Sequence, residues 1–374
     1  MESKHPILSF IVVARNSGKY LPDIFTDIAA QDFPKSDVEF LLVDGMSADN
    51  TKQLVREFSA ANTDVQFRFL ENPGKILSSG WNAALKEAKG DIIMRIDAHS
   101  RIPVNFISKN VEAIKSGHAI VGGPRITRLP ENGVPRFLAL AEVSRFGAGC
   151  ASYRHVGKAG YTDTLAHAAY RRDVFGKVGG YNEELVRNQD NEIHRRMKNA
   201  GYRFWFTPEI WSEHFARTDL STLLKQKFGN GYWIAIVSGF CPKCFGLRHF
   251  VPFMFLMALF ITIIAAIFVT PEPLYLLLSV YCGSAAFFTA EAVKSESIEI
   301  KLLSLCMPIL FLFMHFSYGL GTLCGFLILP FKWKRLRSYK PPFPITESGC
   351  LDAVSLRSGP AKSFEELGEG KAIG

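Results

Sequence analysis

Residues 91–101 read DIIMRIDAHSR. The run from Ile92 to Ile96 has the length and apolar character of a buried strand. It delivers Asp97, then Ala98, then His99 at its end. A carboxylate and an imidazole separated by one small residue form either a polar turn or a place to hold a charged ligand. Which of the two applies depends on what surrounds the strand.

Upstream, the pattern repeats. ILSFIVVA (7–14), VEFLLVDG (38–45) and VQFRFLEN (65–72) read as strands, and DIIMRIDA (91–98) is the fourth. Helical stretches stand between them: SGKYLPDIFTDIAAQ, ADNTKQLVREFSA with Asp49 or Asn50 as N-cap, and LSSGWNAALKEAK. VNFISKNVEAIKSG and HAIVGGPRI add one more helix and one more strand. Strands alternating with helices predict an α/β domain, a parallel sheet covered on both faces. In such sheets ligands sit beyond the carboxyl ends of the strands. That rule selects three loops: Ala14-Arg15-Asn16, Asp44-Gly45 and Asp97-Ala98-His99. No GxGxxG follows the first strand and no GxxxxGK[ST] occurs, which argues against a dinucleotide fold and a phosphate-loop ATPase. A nucleotide held here needs its phosphates neutralised another way, and a divalent ion with oxygen ligands is the expected means.

Downstream, the composition changes. Residues 250–270 carry no charge over 21 positions, and 274–290 none over 17. Both match the roughly 17–25 apolar residues that cross a bilayer. The stretch 302–329 has only His315 as a possible charge and contains Pro308, Gly319, Gly321 and Gly325. It reads as one tilted helix or a short broken pair. MESKHP at the start lacks a signal-peptide pattern. Lys225, Lys227, Lys243 and Arg248 precede the first apolar stretch, and FKWKRLRSYK follows the last. By the positive-inside rule both flanks are cytoplasmic, which requires an even number of crossings. The expected layout is a cytoplasmic catalytic domain over 1–220, an interface helix region over 221–249, with Tyr232 and Trp233 as anchors, membrane helices over 250–330, and a basic then flexible tail over 331–374.

The net charge of +8 is concentrated beside the apolar stretches, which favours contact with anionic lipid headgroups over nucleic acid. The 7 cysteines are expected as free thiols. CPKC (241–244) has no second CxxC or histidine pair to complete a zinc site.

Several segments in order carry a family resemblance: SFIVVARNSGKYL, LLVDGMSADNT, SSGWNAALKEAKGDIIMRIDAHS and NQDNEIHRRMKNAGYRF. They resemble the successive motifs of the family 2 inverting glycosyltransferases with the GT-A fold, across roughly residues 6–240. The likeness is greatest to membrane-attached members similar to the succinoglycan-biosynthesis glucosyltransferase. HFSYGLG (315–321) also resembles those relatives.

The resemblance implies a nucleotide-diphosphosugar donor. Ala14 and Arg15 then lie against the nucleoside, Asp44 hydrogen-bonds the base, and Asp97 contacts ribose or metal. His99 takes the last position of the metal motif, where the family usually has a second Asp. Imidazole is a softer donor than carboxylate, so the choice between Mn²⁺ and Mg²⁺ is open. The resemblance makes Asp190 the catalytic base, with Gln189 in place of the usual Glu. It makes His214 a metal or diphosphate contact, in the loop expected to follow the YRFWF strand. Arg217, Lys225, Gln226 and Lys227 are possible diphosphate contacts. Each residue also has a plainer reading: a turn for Asp44, a salt bridge for Arg15, loop shaping for His99, an N-cap for Asp190 and a structural role for His214. A lipid-facing patch would account for the lysines, and packing for His167 on a strand near the acceptor pocket.

A phosphate acceptor is already an anion and needs no base, whereas a sugar hydroxyl does. Asp190 therefore favours transfer to a hydroxyl of a lipid-linked glycan, as in polysaccharide or glycoconjugate assembly. Transfer to polyprenyl phosphate is the alternative, and a non-catalytic membrane scaffold the remote one.

Overall fold

The computed structural model describes residues 7–147, 157–340 and Pro342. Cys150, Cys350 and the predicted flexible tail from 343 onward lie outside the described residues.

The chain opens with β1 (Leu8–Ala14), α1 (Leu21–Ala29), β2 (Val38–Asp44), α2 (Thr51–Ala61), β3 (Gln66–Glu71), α3 (Leu77–Glu87) and β4 (Ile92–Asp97). β1 and β2 are buried at every position, as expected of apolar strands in the middle of a sheet. Next come β5 (Ser100–Arg101), α4 (Phe106–Lys115), β6 (Ile120–Gly122), β7 (Arg125–Arg128) and α5 (Gly133–Val143). After residue 157 come β8 (Gly160–Thr162), β9 (Ala168–Arg171), α6 (Arg172–Val178), α7 (Gln189–Asn199), β10 (Phe204–Phe206) and β11 (Ser212–Phe215).

The main sheet has eight strands in the order β3-β2-β1-β4-β9-β6-β10-β8. β1 to β4 are parallel, but β9 runs antiparallel between β4 and β6, and β8 is antiparallel to β10. The sheet is therefore mixed rather than purely parallel. HAIVGGPRI is not one strand: β6 joins the main sheet, while β7 joins a second sheet in the order β5-β11-β7. The break falls at Gly123, where a Cβ would come within 1.8 Å of the Ile210 carbonyl oxygen. Two apolar layers cover the main sheet. Phe10, Phe40, Ile96 and Phe106 belong to one, and Trp81, Tyr170, Phe175 and Phe204 to the other.

The remaining helices are α8 (Leu220–Phe240), α9 (Val251–Phe268), α10 (Glu272–Val293), α11 (Ile298–Leu303) and α12 (Met307–Arg337). Among the described residues three segments are long and apolar enough to cross a membrane: Leu247–Phe268, Glu272–Val293 and Ile298–Leu336. The third stretch resolves into one continuous helix, α12, with 31 residues spanning about 46 Å. Three crossings would be an odd number, so these helices do not by themselves meet the even count expected from the flanking charge.

α8 is seated along α12. A Cβ on Gly231 would come within 2.0 Å of the Tyr318 carbonyl oxygen, one on Gly321 within 2.1 Å of the Phe228 carbonyl oxygen, and one on Gly325 within 2.4 Å of the Tyr232 carbonyl oxygen. Small residues thus bring the two backbones together, as in membrane helix pairs. Lys332 of α12 lies over the rings of Tyr232 and Trp233 at 5.4 and 5.3 Å. At the end of α8, Cys241 and Cys244 form a disulfide, with a Cα–Cα distance of 5.5 Å. These two are not the expected free thiols. Cys282, Cys306 and Cys324 are free.

Candidate active site

The loops after β1 and β2 are held to each other. Asn16 donates its backbone N–H to the Ser47 hydroxyl at 2.8 Å and accepts from the Ala48 N–H at 2.9 Å. Gly18 donates to Asp49 at 2.9 Å. Asn16, Met46, Lys75 and Asn188 are the non-glycine residues with positive φ among those described. They follow β1, β2 and β3 and precede α7, so the strained backbone lies at one edge of the domain. Ala14 is buried, and Arg15 is exposed, its guanidinium reaching the Lys75 carbonyl oxygen at 3.4 Å. Asp44 is fully buried and accepts the Ser47 N–H at 3.1 Å. The turn role expected as the plain reading is thus present, with Lys52 at 4.0 Å from the same carboxylate. Asn50 stands at the N-cap position of α2 without a capping bond, and Asp49 accepts the Thr51 N–H at 3.1 Å instead.

At the end of β4, Asp97 is partly exposed, 3.3 Å from His167 Nε2 and 3.7 Å from Arg125. Burial alone would raise its pKa. The His167 hydrogen bond and the surrounding His167, His99 and Arg125 outweigh burial and hold its carboxyl well below the usual carboxylate range. His167 is buried just before β9 and bonds Ser212 Oγ at 2.8 Å through Nδ1. It packs as expected, but its second nitrogen also orients Asp97. His99 sits 6.1 Å from the Tyr20 ring, and burial, then Arg125 and Arg217, push its pKa down against the pull of Asp97. It is therefore a neutral imidazole near neutral pH, the form that ligates metals.

His214 is not in a loop. It lies on β11, opposite Ser100 of β5 and Thr127 of β7, with Nε2 at 3.5 Å from Thr127 Oγ1. The neighbouring Phe215 N–H reaches the His99 carbonyl oxygen at 3.4 Å, so β11 lines the metal-motif loop. Among the described residues no three His, Cys, Asp or Glu side chains converge as a ready cage. The expected trio of Asp97, His99 and His214 is thus not assembled by the protein alone. An ionised carboxylate with a neutral imidazole two residues on does fit a divalent ion that takes its other ligands from substrate phosphates.

Asp190 is the second residue of α7, and Asn188 occupies the N-cap position. The plain N-cap reading of Asp190 is therefore not what the helix uses. Its Oδ1 forms an ion pair with Arg95 Nη1. Arg95 lies on β4, two residues before Asp97, and is 4% exposed. Burial works against its charge, but Asp190 outweighs burial and keeps the guanidinium firmly protonated. The guanidinium is 5.5 Å from the ring centres of both Trp81 and Tyr181, and Nη2 donates to the Ala166 carbonyl oxygen at 3.1 Å. Asp190 Oδ2 makes no hydrogen bond among the described residues, and the side chain is 37% exposed. Arg95 was not anticipated, although an Arg inside the run IIMRID is itself a signal, since charged residues are almost never buried unpaired.

The loop into α7 is clamped by the end of α12 and the segment after it. Tyr339 Oη donates to the Tyr181 carbonyl oxygen at 2.8 Å and accepts the Glu183 N–H at 3.3 Å. Arg335 pairs with Glu184 at 2.6 Å, and Gly180 N–H donates to the Pro342 carbonyl oxygen at 3.0 Å. Of the expected diphosphate contacts, Arg217, Lys225 and Gln226 lie at least partly exposed. Lys227 does not: it is 2% exposed, 3.9 Å from Glu142 and 3.5 Å from the Gly147 carbonyl oxygen. Its ammonium joins α8 to α5 and is closed to a ligand in this arrangement.

The mixed α/β sheet followed by apolar helices is a GT-A-like arrangement, and residues 9–179 match the model of Glycosyl transferase family 2. Among curated relatives, the succinoglycan biosynthesis protein ExoA of Rhizobium meliloti is 32% identical over 51% of this chain and 58% of its own length. A dolichyl N-acetyl-alpha-D-glucosaminyl phosphate 3-beta-D-2,3-diacetamido-2,3-dideoxy-beta-D-glucuronosyltransferase of Methanococcus voltae is 23% identical over 73% of this chain and 91% of its own. The fold is shared with a mannosyltransferase of Pyrobaculum calidifontis solved with GDP-Man and Mn²⁺. That match has a TM-score of 0.53 at 17% identity and covers 87% of this chain and 88% of that one.

Proposed function

We propose that this chain is an inverting glycosyltransferase that moves a sugar from a nucleotide diphosphosugar to a hydroxyl of a lipid-linked glycan. The observation that carries the reading is the Arg95–Asp190 pair. One strand, β4, bears Asp97 at its tip and, two residues earlier, the arginine that fixes Asp190. A donor-binding carboxylate and a base are thereby tied to one rigid element.

The acceptor oxygen attacks the anomeric carbon as its proton passes to Asp190 Oδ2. The bond from the anomeric carbon to the diphosphate oxygen breaks, and the electron pair leaves with the diphosphate. One displacement inverts the centre. Arg95 holds Oδ1, so the free oxygen keeps a fixed direction. The loops after β1 and β2, with Ala14, Arg15 and Asp44, receive the nucleoside. Asp97 and His99, with His214 on the adjoining strand, would hold a divalent ion, Mn²⁺ or Mg²⁺. Such an ion supplies charge neutralisation for the departing diphosphate. Arg217, Lys225 and Gln226 stand where the leaving group could be covered.

The layout we propose is a catalytic domain over 1–220 facing the cytoplasm, an interface region over 221–249, membrane helices over 250–330 and a tail over 331–374. The glycan-assembly and dolichyl names of the relatives support a lipid-linked acceptor, and the three apolar helices support a multi-pass membrane setting. Transfer to polyprenyl phosphate is the competing reading. Thermal-shift screening of nucleotide sugars with and without Mn²⁺ should reveal a stabilising donor. Transfer is then offered to a lipid-linked glycan and to polyprenyl phosphate in parallel. Product on the glycan supports the proposal, and product only on the phosphate refutes it.

A further inference from the structure

CPKC (241–244) closes α8. Cys241 donates its N–H to the Val237 carbonyl oxygen at 2.8 Å, and Cys244 donates to the Cys241 carbonyl oxygen at 3.0 Å, so Pro242–Cys244 make a single 3₁₀ turn. Both cysteines are half-buried and share a disulfide, whereas Pro242 and Lys243 between them are exposed. Among the described residues this is the one paired set of cysteines. Cys282, Cys306 and Cys324 are free and belong to the apolar helical segments.

This turn packs against α7, the helix that bears Asp190. Cys241 and Cys244 also pack against an apolar cluster that includes Leu185, Val237, Phe245 and Leu336. Leu185 is fully buried in the loop into α7, and its carbonyl oxygen accepts the Ser78 hydroxyl at 3.0 Å. Two sulfurs that are no longer bonded must separate to van der Waals distance. A close-packed interior passes such a shift on to its neighbours. The neighbours that receive it here are α7 and the loop leading into it.

The cytoplasmic placement on which this inference rests, taken from the reading above, makes the pair informative. Cytosolic disulfides are mostly transient, catalytic or redox-sensing rather than structural. The turn has what exchange needs: CxxC spacing, an exposed approach for a second sulfur, and the cation of Lys243 next to Cys244 in the chain, which favours the reactive thiolate. We propose that Cys241 and Cys244 are a reversible dithiol–disulfide site, exchanged by glutathione or a dithiol protein, whose state sets the packing of the loop into α7. In the oxidising direction one cysteine thiolate attacks glutathione disulfide, which expels one glutathione and leaves a mixed disulfide. The second thiolate attacks the cysteine sulfur of that bond and expels the other glutathione. The two protons lost by the cysteines end on the two glutathiones, and reduction runs the same steps backward.

The test equilibrates the full chain in lipid nanodiscs with glutathione buffers of increasing reduced-to-oxidised ratio, alkylates free thiols and reads each cysteine by mass spectrometry. The Cys241–Cys244 disulfide should open within the range of the buffer, both residues becoming alkylated together. A pair that stays oxidised in fully reduced glutathione until the chain is unfolded, or that never forms in oxidised glutathione, overturns the proposal. Hydrogen exchange of the two end states then reads the coupling. Backbone amides of 180–188 should exchange several-fold faster in the reduced protein. Equal exchange in the two states overturns the proposal. The double variant Cys241→Ser/Cys244→Ser should exchange like the reduced form in both buffers, and a variant that still responds to the buffer overturns the assignment to this pair. The decisive comparison is made on wild-type protein, so a variant that fails to fold leaves the test intact. Thiol state and exchange are read without turnover, so this result and the glycosyltransferase reading can fail separately.

Discussion

Asp190→Asn keeps the shape of the side chain but takes from Arg95 its one carboxylate partner among the described residues. Arg95 is 4% exposed and cannot turn to water. Removing one partner of a buried pair costs about 3–5 kcal/mol. The 37% exposure of Asp190 places this pair near the lower figure, about 3 kcal/mol. Arg95→Met removes the buried charge itself and leaves a carboxylate that water can reach. Its cost is the lost bonds, about 1–2 kcal/mol. The double variant should then be more stable than Asp190→Asn alone, giving a coupling of about 2–3 kcal/mol in the cycle. In melting temperature, Asp190→Asn should lose roughly 6–12 °C, and adding Arg95→Met should recover more than half. Tryptophan fluorescence of detergent-purified protein during thermal unfolding reads all four corners. Additive losses, or an Asp190→Asn variant as stable as wild type, would refute the claim that Arg95 depends on Asp190.

Three further predictions follow from other contacts. His99→Ala should weaken metal-dependent donor binding and His99→Asp should shift preference from Mn²⁺ toward Mg²⁺, read by titrating each ion against donor affinity. Tyr339→Phe removes the bond to the Tyr181 carbonyl oxygen and should cost about 1 kcal/mol and lower kcat more than donor affinity, because the clamp acts on the base loop. His194 is bonded to Tyr170 and Thr164, and burial, then Arg95, depress its pKa to about 3. The unfolded chain takes up that proton near pH 6.5 and the folded one does not, so its share of stability is lost as pH falls below 6.5. Between pH 7 and 5.5 the loss from this group is about 1 kcal/mol, and His194→Gln should flatten that part of the pH–stability curve.

The half of the sheet that bears the proposed donor site was legible because β1, β2 and β4 are buried apolar runs ending in polar residues. The other half was not. β6, β7, β10 and β11 have three or four residues each, too short for periodicity to separate strand from loop, and this misplaced His214. Asp190 stood out through its helix, but its partner did not. Arg95 and Asp190 are 95 positions apart, and no local pattern announces such a pair. The clamp by Tyr339 and Pro342 was hidden for the same reason. Lys227 read as a free basic group because its partner Glu142 is also far away in sequence.

The central claim is that Asp190 accepts the proton of an acceptor hydroxyl. Single-turnover transfer from a pre-bound nucleotide sugar to a lipid-linked glycan, comparing Asp190→Asn with wild type, tests it most directly. Donor affinity should stay within a few-fold of wild type while the transfer rate falls about 10²–10⁴-fold. A transfer rate near that of wild type would contradict it.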